Sequence, residues 1–532
     1  MTGQTIALAA ASLAMLYGVQ KALEYRRLVA QCGDLPYKVT VLNPLSMVSF
    51  ALAAIRGTPA EVLTNGYAPF EEGGYDAYAQ ISLYPSGIVV HVADPSAIKD
   101  ISMRRVVFPK PLGIYKGFAI FGNNIIASEG DEWRKYHRIS APAFSERNIR
   151  LVWNETCTVM RGLMDDVWVN APEVVVPHFL DISLPIALFV IGAAGFGRRI
   201  SWDSDNYVPP GHQLSFKAAL DACAHDMGFR VMFSERILSL TAPGRRVLME
   251  FEELDRYMLE MIRSRRSGDK RDERHDLFSG LLDAADEEAG GRVAISDREL
   301  MGNIFIFLVA GHETTAHSIC FTLAYLALYP EVQDKLYAEI RTVMNEEGAS
   351  DLTWGYEVMS KLSYALAVFH ETLRLQPAVV SIPKMAAEDT SLSIHDGIGN
   401  AHTFPVPAGA IVLLDAAAMQ RNPRLWTDPL LFNPDRWLTS VEDKEAQIHR
   451  RDAFVAFSSG ARRCMGQRFS EAEAVAILCC LLSRYSVHLT HDDDVPNESA
   501  EARRVRREKI LDHVAGATIK PKDVPLTFKR RS

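Results

Sequence analysis

From about Asp297 to Pro330 one apolar helical pattern runs on without a break, and it stops at a proline that a helix interior resists. At ~1.5 Å per residue such a helix is about 50 Å long, enough to cross a domain of the size that 532 residues can build. Helical patterns dominate the chain after about Val92, and before it an alternating stretch (ISLYPSGIVVHV) predicts a small hairpin turning at Pro85-Ser86-Gly87. In the middle of the long helix stands Ala310-Gly311-His312-Glu313-Thr314-Thr315. An acid beside an alcohol inside an apolar helix is costly unless the pair is used or solvated. Gly311 weakens the helix there and makes room for a small molecule. His312-Glu313 followed by His317 invites comparison with a zinc-protease HExxH, but the geometry fails. Five residues separate the histidines, about 140° round the helix, where the zinc motif needs four. Both are expected to be polar packing residues.

Late in the chain, Phe457-Ser458-Ser459-Gly460-Ala461-Arg462-Arg463-Cys464-Met465-Gly466 sets one cysteine in a turn-rich segment ahead of a helical pattern. The small residues around it let the backbone come close to something flat and bulky. Arg462, Arg463 and the dipole of a helix starting near Gln467 all favour thiolate over thiol. A thiolate on a haem iron pushes electron density onto the metal and favours cleavage of dioxygen over its carriage. Cys157, Cys223, Cys320, Cys479 and Cys480 are expected instead to be inert, buried and apolar in character.

The cysteine segment fits FxxGxxxCxG at every fixed position and so resembles the haem-binding signature of the cytochrome P-450 superfamily. Ala310 to Thr314 resembles the family's [A/G]Gx[D/E]T element. His370-Glu371-Thr372-Leu373-Arg374 carries its ExxR, whose two charged residues share a helix face. Phe432-Asn433-Pro434-Asp435-Arg436-Trp437 is similar to FxPxRF, with Trp437 replacing the final aromatic. Trp133-Arg134-Lys135-Tyr136-His137-Arg138 resembles WxxxR, although His137 holds the arginine place and Arg138 follows one later.

The resemblance covers nearly all of the chain beyond the N-terminal segment and points to a microsomal, fungal-type member. It implies a mainly α fold with small β-sheets, and haem b between the long central helix and the cysteine loop. Cys464 would be the axial iron ligand, in a loop shaped by Phe457 and Gly460. Trp133, Arg462, Lys384 and either His137 or Arg138 would meet the propionates; lysine at 384 neutralises a carboxylate but cannot grip it bidentately. Thr314 and Glu313 would steer protons to iron-bound dioxygen. Glu371, Arg374 and Arg436 would form a structural clamp. The loop from about Phe108 to Ala127, with apolar Ile114, Tyr115, Phe118, Ile120 and Phe121, would cover the substrate.

The implied reaction inserts one oxygen atom from dioxygen into an apolar small molecule, by hydroxylation or epoxidation, with a terpenoid of specialised metabolism favoured. Electrons would come from NADPH through a separate flavoprotein reductase, because the sequence holds no flavin or dinucleotide domain; Arg463 and Arg468 would contribute to its docking face. Two other readings stand beside this one: a haem-thiolate isomerase or dehydratase that does not use dioxygen, and a haem sensor or electron carrier.

Composition agrees with a globular enzyme: 48% hydrophobic, 23% charged, with a formal charge of −9 that argues against nucleic acid as a partner. Seven cysteines without regular spacing argue for a reducing compartment. Thr5 to Val19 is apolar or small throughout, and Lys21, Arg26 and Arg27 all follow it. That order predicts an uncleaved anchor over 1–27 in the endoplasmic reticulum membrane, single-pass, N-terminus lumenal and the remainder cytosolic. Residues 28–40 read as a hinge and 41–532 as the catalytic domain. The charge runs over 264–276 and 283–292, and the hydrophilic stretch 490–509, read as exposed loops or insertions.

Overall fold

The computed structural model describes residues 3–46, 48–49, 66–202, 207–267, 276–289, 295–348, 355–438, 451–490, 499–514 and 518–531. Parts of the charge runs over 264–276 and 283–292, and of 490–509, lie outside them. The chain is mainly helical, with small sheets. Where the sequence reads as one domain over 41–532, the chain separates into two compact units: Met1–Pro111 with Val379–Leu430 and Lys444–Arg463, and Leu112–Ala378 with Leu431–Asp443 and Cys464–Ser532.

The first unit is built on a five-stranded sheet. The expected hairpin forms it in part, Ala77–Tyr84 against Ser86–Val92, with Tyr37–Leu42 parallel on one side and Ile411–Leu414, then Ile382–Met385, on the other. Its inward residues, among them Ala77, Ala79, Ile81, Val90, Val92 and Val412, are buried. A single helix, Gly3–Gln31, runs through the expected end of the anchor and into the expected hinge. From Lys21 onward it belongs to the fold: Lys21 Nζ donates to Ser86 Oγ at 2.7 Å, and Tyr25, Leu28 and Val29 pack against the sheet's core. Cys32 and Leu35 are buried, and a strand begins at Tyr37, so 28–40 is not a free tether. Earlier in the same helix Leu13, Met15 and Leu16 are exposed at 67%, 74% and 66%.

The second unit is organised by the central helix, Asp297–Leu328. It is long and apolar enough to span a membrane, but 72% of its apolar window is buried, which makes it a core helix. A capping box of Ser296 and Glu299 opens it. Glu299 also accepts from Lys135 Nζ and Tyr136 Oη, both at 2.8 Å. Burial alone would push that carboxyl up; Lys135, the Ser296 amide and Tyr136 hold it down at about 2. The loop before Ala127 lies directly on this helix. A Cβ at Gly302 would come within 2.4 Å of Gly122 O, so only glycine allows the contact. Asn303 Oδ1 accepts from the Ile125 amide at 2.9 Å. Phe121, expected over the substrate, is instead buried edge-to-face on Phe305 at 4.5 Å.

Candidate functional site

Between Leu300 and Ala327 the central helix is buried except at Phe307, Ala310, Gly311, Glu313 and Thr314. Residues 307, 310, 311 and 314 repeat at i, i+3, i+4 and i+7, which is one stripe of a helix. The unburied stripe of an otherwise buried helix is a wall facing open space, and the small residues Ala310 and Gly311 keep that space wide. Thr314 Oγ1 donates to Ala310 O at 2.6 Å, so its lone pairs remain to accept a hydrogen bond from outside the helix. Beside the stripe, burial raises the Glu313 carboxyl to about 6, against the opposing charge of Lys520. An acid near that value exchanges protons readily at neutral pH. Burial depresses His312 to about 4 and His317 to about 3. His312 Nε2 donates to Leu184 O at 3.1 Å, and His317 Nδ1 lies 3.2 Å from Thr518 Oγ1. Both are neutral packing residues, as their spacing required, and no metal-binding cluster of His, Cys, Asp or Glu is present among the described residues.

Of the seven cysteines, Cys464 is exposed and the other six are buried. Burial pushes the Cys320, Cys223 and Cys479 thiols up, which keeps them inert. Cys464 stands two residues before Gly466, the N-cap of the helix Gln467–Arg484. The central helix and this cysteine helix are joined inside the second unit by Thr315 Oγ1 donating to Ser470 Oγ at 3.2 Å. In the first unit, the approach to the cysteine is shaped by Ser458 and Gly460, both left-handed at φ 62° and 63°. A Cβ at Gly460 would meet Ser102 O at 3.1 Å, and Ser459 Oγ donates to Ser102 Oγ at 2.8 Å. Phe457 precedes that turn, half-buried.

The structure brings Glu371, Arg374 and Arg436 together. Arg374 Nε and Nη2 donate to the two Glu371 oxygens at 2.9 Å each, and Arg436 Nε donates to Oε1 at 2.9 Å. The Glu371 and Arg374 side chains are 0% exposed. Sequence reasoning missed two further donors to this carboxylate, the Asn433 amide at 2.9 Å and Trp437 Nε1 at 3.0 Å. Trp437 is the departure from the family pattern, and its indole N–H was the legible signal: a phenyl ring has no donor to offer.

The candidate cations divide between the units. In the first, Lys384 is buried on the strand Ile382–Met385, and burial lowers its pKa. Burial, then the charges of Arg462 and Lys384, brings Lys110 down to about 7. Burial and Arg105 bring Arg462 to about 10. Lys110, between two prolines in an apolar stretch, gave no motif and was missed. Lys384 is buried and Lys110 and Arg462 are half-buried, and such a set of cations would suit an anion. In the second unit, Trp133 is buried on the helix Gly130–Ser140, with the His137 ring 4.9 Å away on the same face; Arg138 is exposed one residue further round. Arg468 donates to Glu146 at 2.6 Å and to Tyr356 Oη at 3.1 Å. Taken separately, the exposed thiol ahead of a helix in the second unit suits an iron centre and the cations of the first suit acidic side chains, so the residues present fit haem.

The family described as Cytochrome P450 matches this chain over residues 75–511. Cytochrome P450 monooxygenase 124 of Postia placenta is 44% identical over 87% of this chain and 87% of its own length. Cytochrome P450 monooxygenase ORF6 of Penicillium roqueforti is 30% identical over 84% of this chain and 81% of its own. Among solved structures, the cytochrome P450DA heme domain superposes with a TM-score of 0.72 at 23% identity, over 94% of this chain and 98% of that one. That likeness concerns the fold alone.

Proposed function

This chain belongs to the cytochrome P450 family and is a haem-dependent monooxygenase, and from that premise we propose that it oxidises an apolar small molecule, of terpenoid type, with electrons passed from NADPH by a separate flavoprotein reductase. The observation that carries the reading is the pairing, within one compact unit, of the exposed Cys464 with the Glu313–Thr314 stripe on a helix bonded to the cysteine helix.

Cys464 would hold the haem iron as thiolate. The family resemblance gives Arg462, Lys384, Trp133 and His137 or Arg138 to its propionates; the face that His137 shares with Trp133 favours His137 over Arg138. Bound haem supplies the iron at which dioxygen is activated. Around it the chain's own residues manage protons and water. Glu313, whose carboxyl lies at about 6, exchanges protons with water beside the stripe, and Thr314 Oγ1, with its own hydrogen committed to Ala310 O, would accept a hydrogen bond from that water and hold it in place. The substrate side is apolar at Phe307 and Ala310, with Ile114, Tyr115, Phe118 and Ile120 on the covering loop. An apolar wall discriminates by shape and excludes water.

The exposed apolar turns over 13–19 of the first helix support an anchor in the endoplasmic reticulum membrane, with the basic residues that follow keeping the rest of the chain on the cytosolic side. The test is a reduced carbon monoxide difference spectrum of expressed microsomes, then NADPH-dependent turnover with a reductase on terpenoid, steroid, fatty acyl and polyketide panels. A thiolate-type band with oxygenated terpenoid product is expected. Lack of the band overturns the haem-thiolate reading, and turnover of another class overturns the substrate.

A further inference from the structure

Beyond the clamp, a second set of side chains links it to the helix that follows the cysteine. Glu471 Oε1 accepts two hydrogen bonds, from Gln467 Nε2 at 2.7 Å and from His370 Nε2 at 3.0 Å. Gln467 is the first residue of the cysteine helix, three places after Cys464. His370 immediately precedes Glu371 on the clamp helix Ser363–Leu375. The His370 ring lies edge-on to Trp437, with centroids 5.4 Å apart and planes at 67°, and Trp437 Nε1 donates to Glu371. A continuous path therefore runs from Glu371 through Trp437, His370 and Glu471 to Gln467, all within the second unit.

The bland account is a surface pair four residues apart on one helix, which contributes little. Two observations argue against it. His370 and Glu471 side chains are only 18% and 11% exposed, so their contact is shielded from solvent. The third partner comes from a different helix, which makes the carboxylate a cross-brace. Further along, the cysteine helix is held by apolar side chains such as Ala472, Val475, Leu478 and Leu481, all 0% exposed. Apolar packing is non-directional and fixes the position of a helix axis better than its rotation. Hydrogen bonds are directional, and these act on the turn nearest the sulfur.

We propose that His370 and Glu471 are positioning residues that lock the first turn of the cysteine helix, and with it the Cys464 sulfur, to the Glu371 clamp. Neither touches the iron; each acts through Gln467. The inference rests on the reading of Cys464 as the haem ligand.

The experiment uses the full-length haem-loaded protein and follows the reduced carbon monoxide complex over time. The readouts are the fraction of the thiolate-type Soret band and the rate at which it passes to the blue-shifted form that has lost the thiolate. His370→Phe keeps a ring against Trp437 and removes the donor; the expected result is conversion about tenfold faster, from the loss of one charge-assisted hydrogen bond. His370→Gln, which keeps a donor, restores most of the wild-type rate. Glu471→Leu behaves like His370→Phe, and the double variant is no worse than either single one, because both cut the same link. Wild-type conversion rates in His370→Phe and Glu471→Leu overturn the proposal, and so does strict additivity in the double variant. Gln467→Met probes the same brace from the helix surface and serves if a His370 variant loads poorly; a wild-type rate there counts against it equally. A wild-type protein with no thiolate-type band removes the underlying reading instead, and the two failures are told apart by that single arm.

Discussion

Thr315 is buried and donates its hydroxyl to Ser470 at 3.2 Å, while its neighbour Thr314, on the open stripe, donates to Ala310 at 2.6 Å. Adjacent threonines on one helix thus have separate duties, one joining two helices and one facing the reaction space. Thr314→Ala should leave haem binding and the carbon monoxide band intact but lower the ratio of product formed to NADPH oxidised. A tenfold fall corresponds to about 1.4 kcal/mol of lost transition-state stabilisation. Thr315→Val should do the reverse, costing about 1 kcal/mol of stability and keeping the ratio. The ratio in both variants under air is the measurement. A wild-type ratio in Thr314→Ala would favour a reaction that does not activate dioxygen.

Glu313 carries a pH signature whose sign can be worked out. Burial raises its carboxyl from an ordinary 4.5 to about 6 in the folded chain. Below about pH 4.5 it is protonated folded and unfolded, and contributes no difference. As pH rises through 6 the folded chain must ionise a carboxyl it holds poorly, a penalty of about 2 kcal/mol that is complete above that value. Glu313→Gln should therefore match wild type in stability near pH 4.5 and exceed it at pH 7.5, while coupling worsens. Denaturant unfolding of both proteins at the two pH values checks this. A stability gain that does not grow with pH would contradict the burial of the acid.

The clamp is a case where removal and replacement differ. Glu371→Ala leaves Arg374, 0% exposed, without the carboxylate that takes two of its donors, and a buried charge so stranded costs about 3–5 kcal/mol. That is a large share of a domain's stability, so the variant should yield little haem-loaded protein. Trp437→Phe removes one donor of several and keeps the ring. It should cost about 1–2 kcal/mol and retain the carbon monoxide band. Haem content per folded chain separates the two.

Much of this site was legible because its chemistry is expensive: Cys464 among turn residues, Glu313 beside Thr314 in an apolar helix, and Glu371 three residues from Arg374. Each is a local pattern that physics penalises unless it has a use. What sequence could not give was the partner across space. Lys110 and Glu471 sit in unremarkable local sequence, and their roles come from neighbours on other elements. The packing of the first helix beyond its apolar stretch was illegible for a related reason. Composition marks where apolar residues stop, near Val19, and the helix continues to Gln31 because Tyr25, Leu28 and Val29 have a sheet to pack on.

That last point makes the first helix separable into two functions. Among the described residues up to Val19, Leu13, Met15, Leu16, Tyr17 and Val19 expose their large apolar side chains. Deleting 1–19 should therefore release a folded, haem-loaded protein from membranes. Deleting 1–31 also removes the Lys21 contact to Ser86 and the packing of Tyr25, Leu28 and Val29. A fully buried side chain of this size is worth ~1.5–3 kcal/mol, and these are partly buried, so the longer deletion should cost about 3 kcal/mol in all. The measurements are sedimentation after carbonate wash and thermal unfolding of each truncated form. Equal stability of the two would mean that the helix beyond Lys21 is only a tether, and a 1–19 deletion that stays folded in the membrane pellet would place the attachment on another surface.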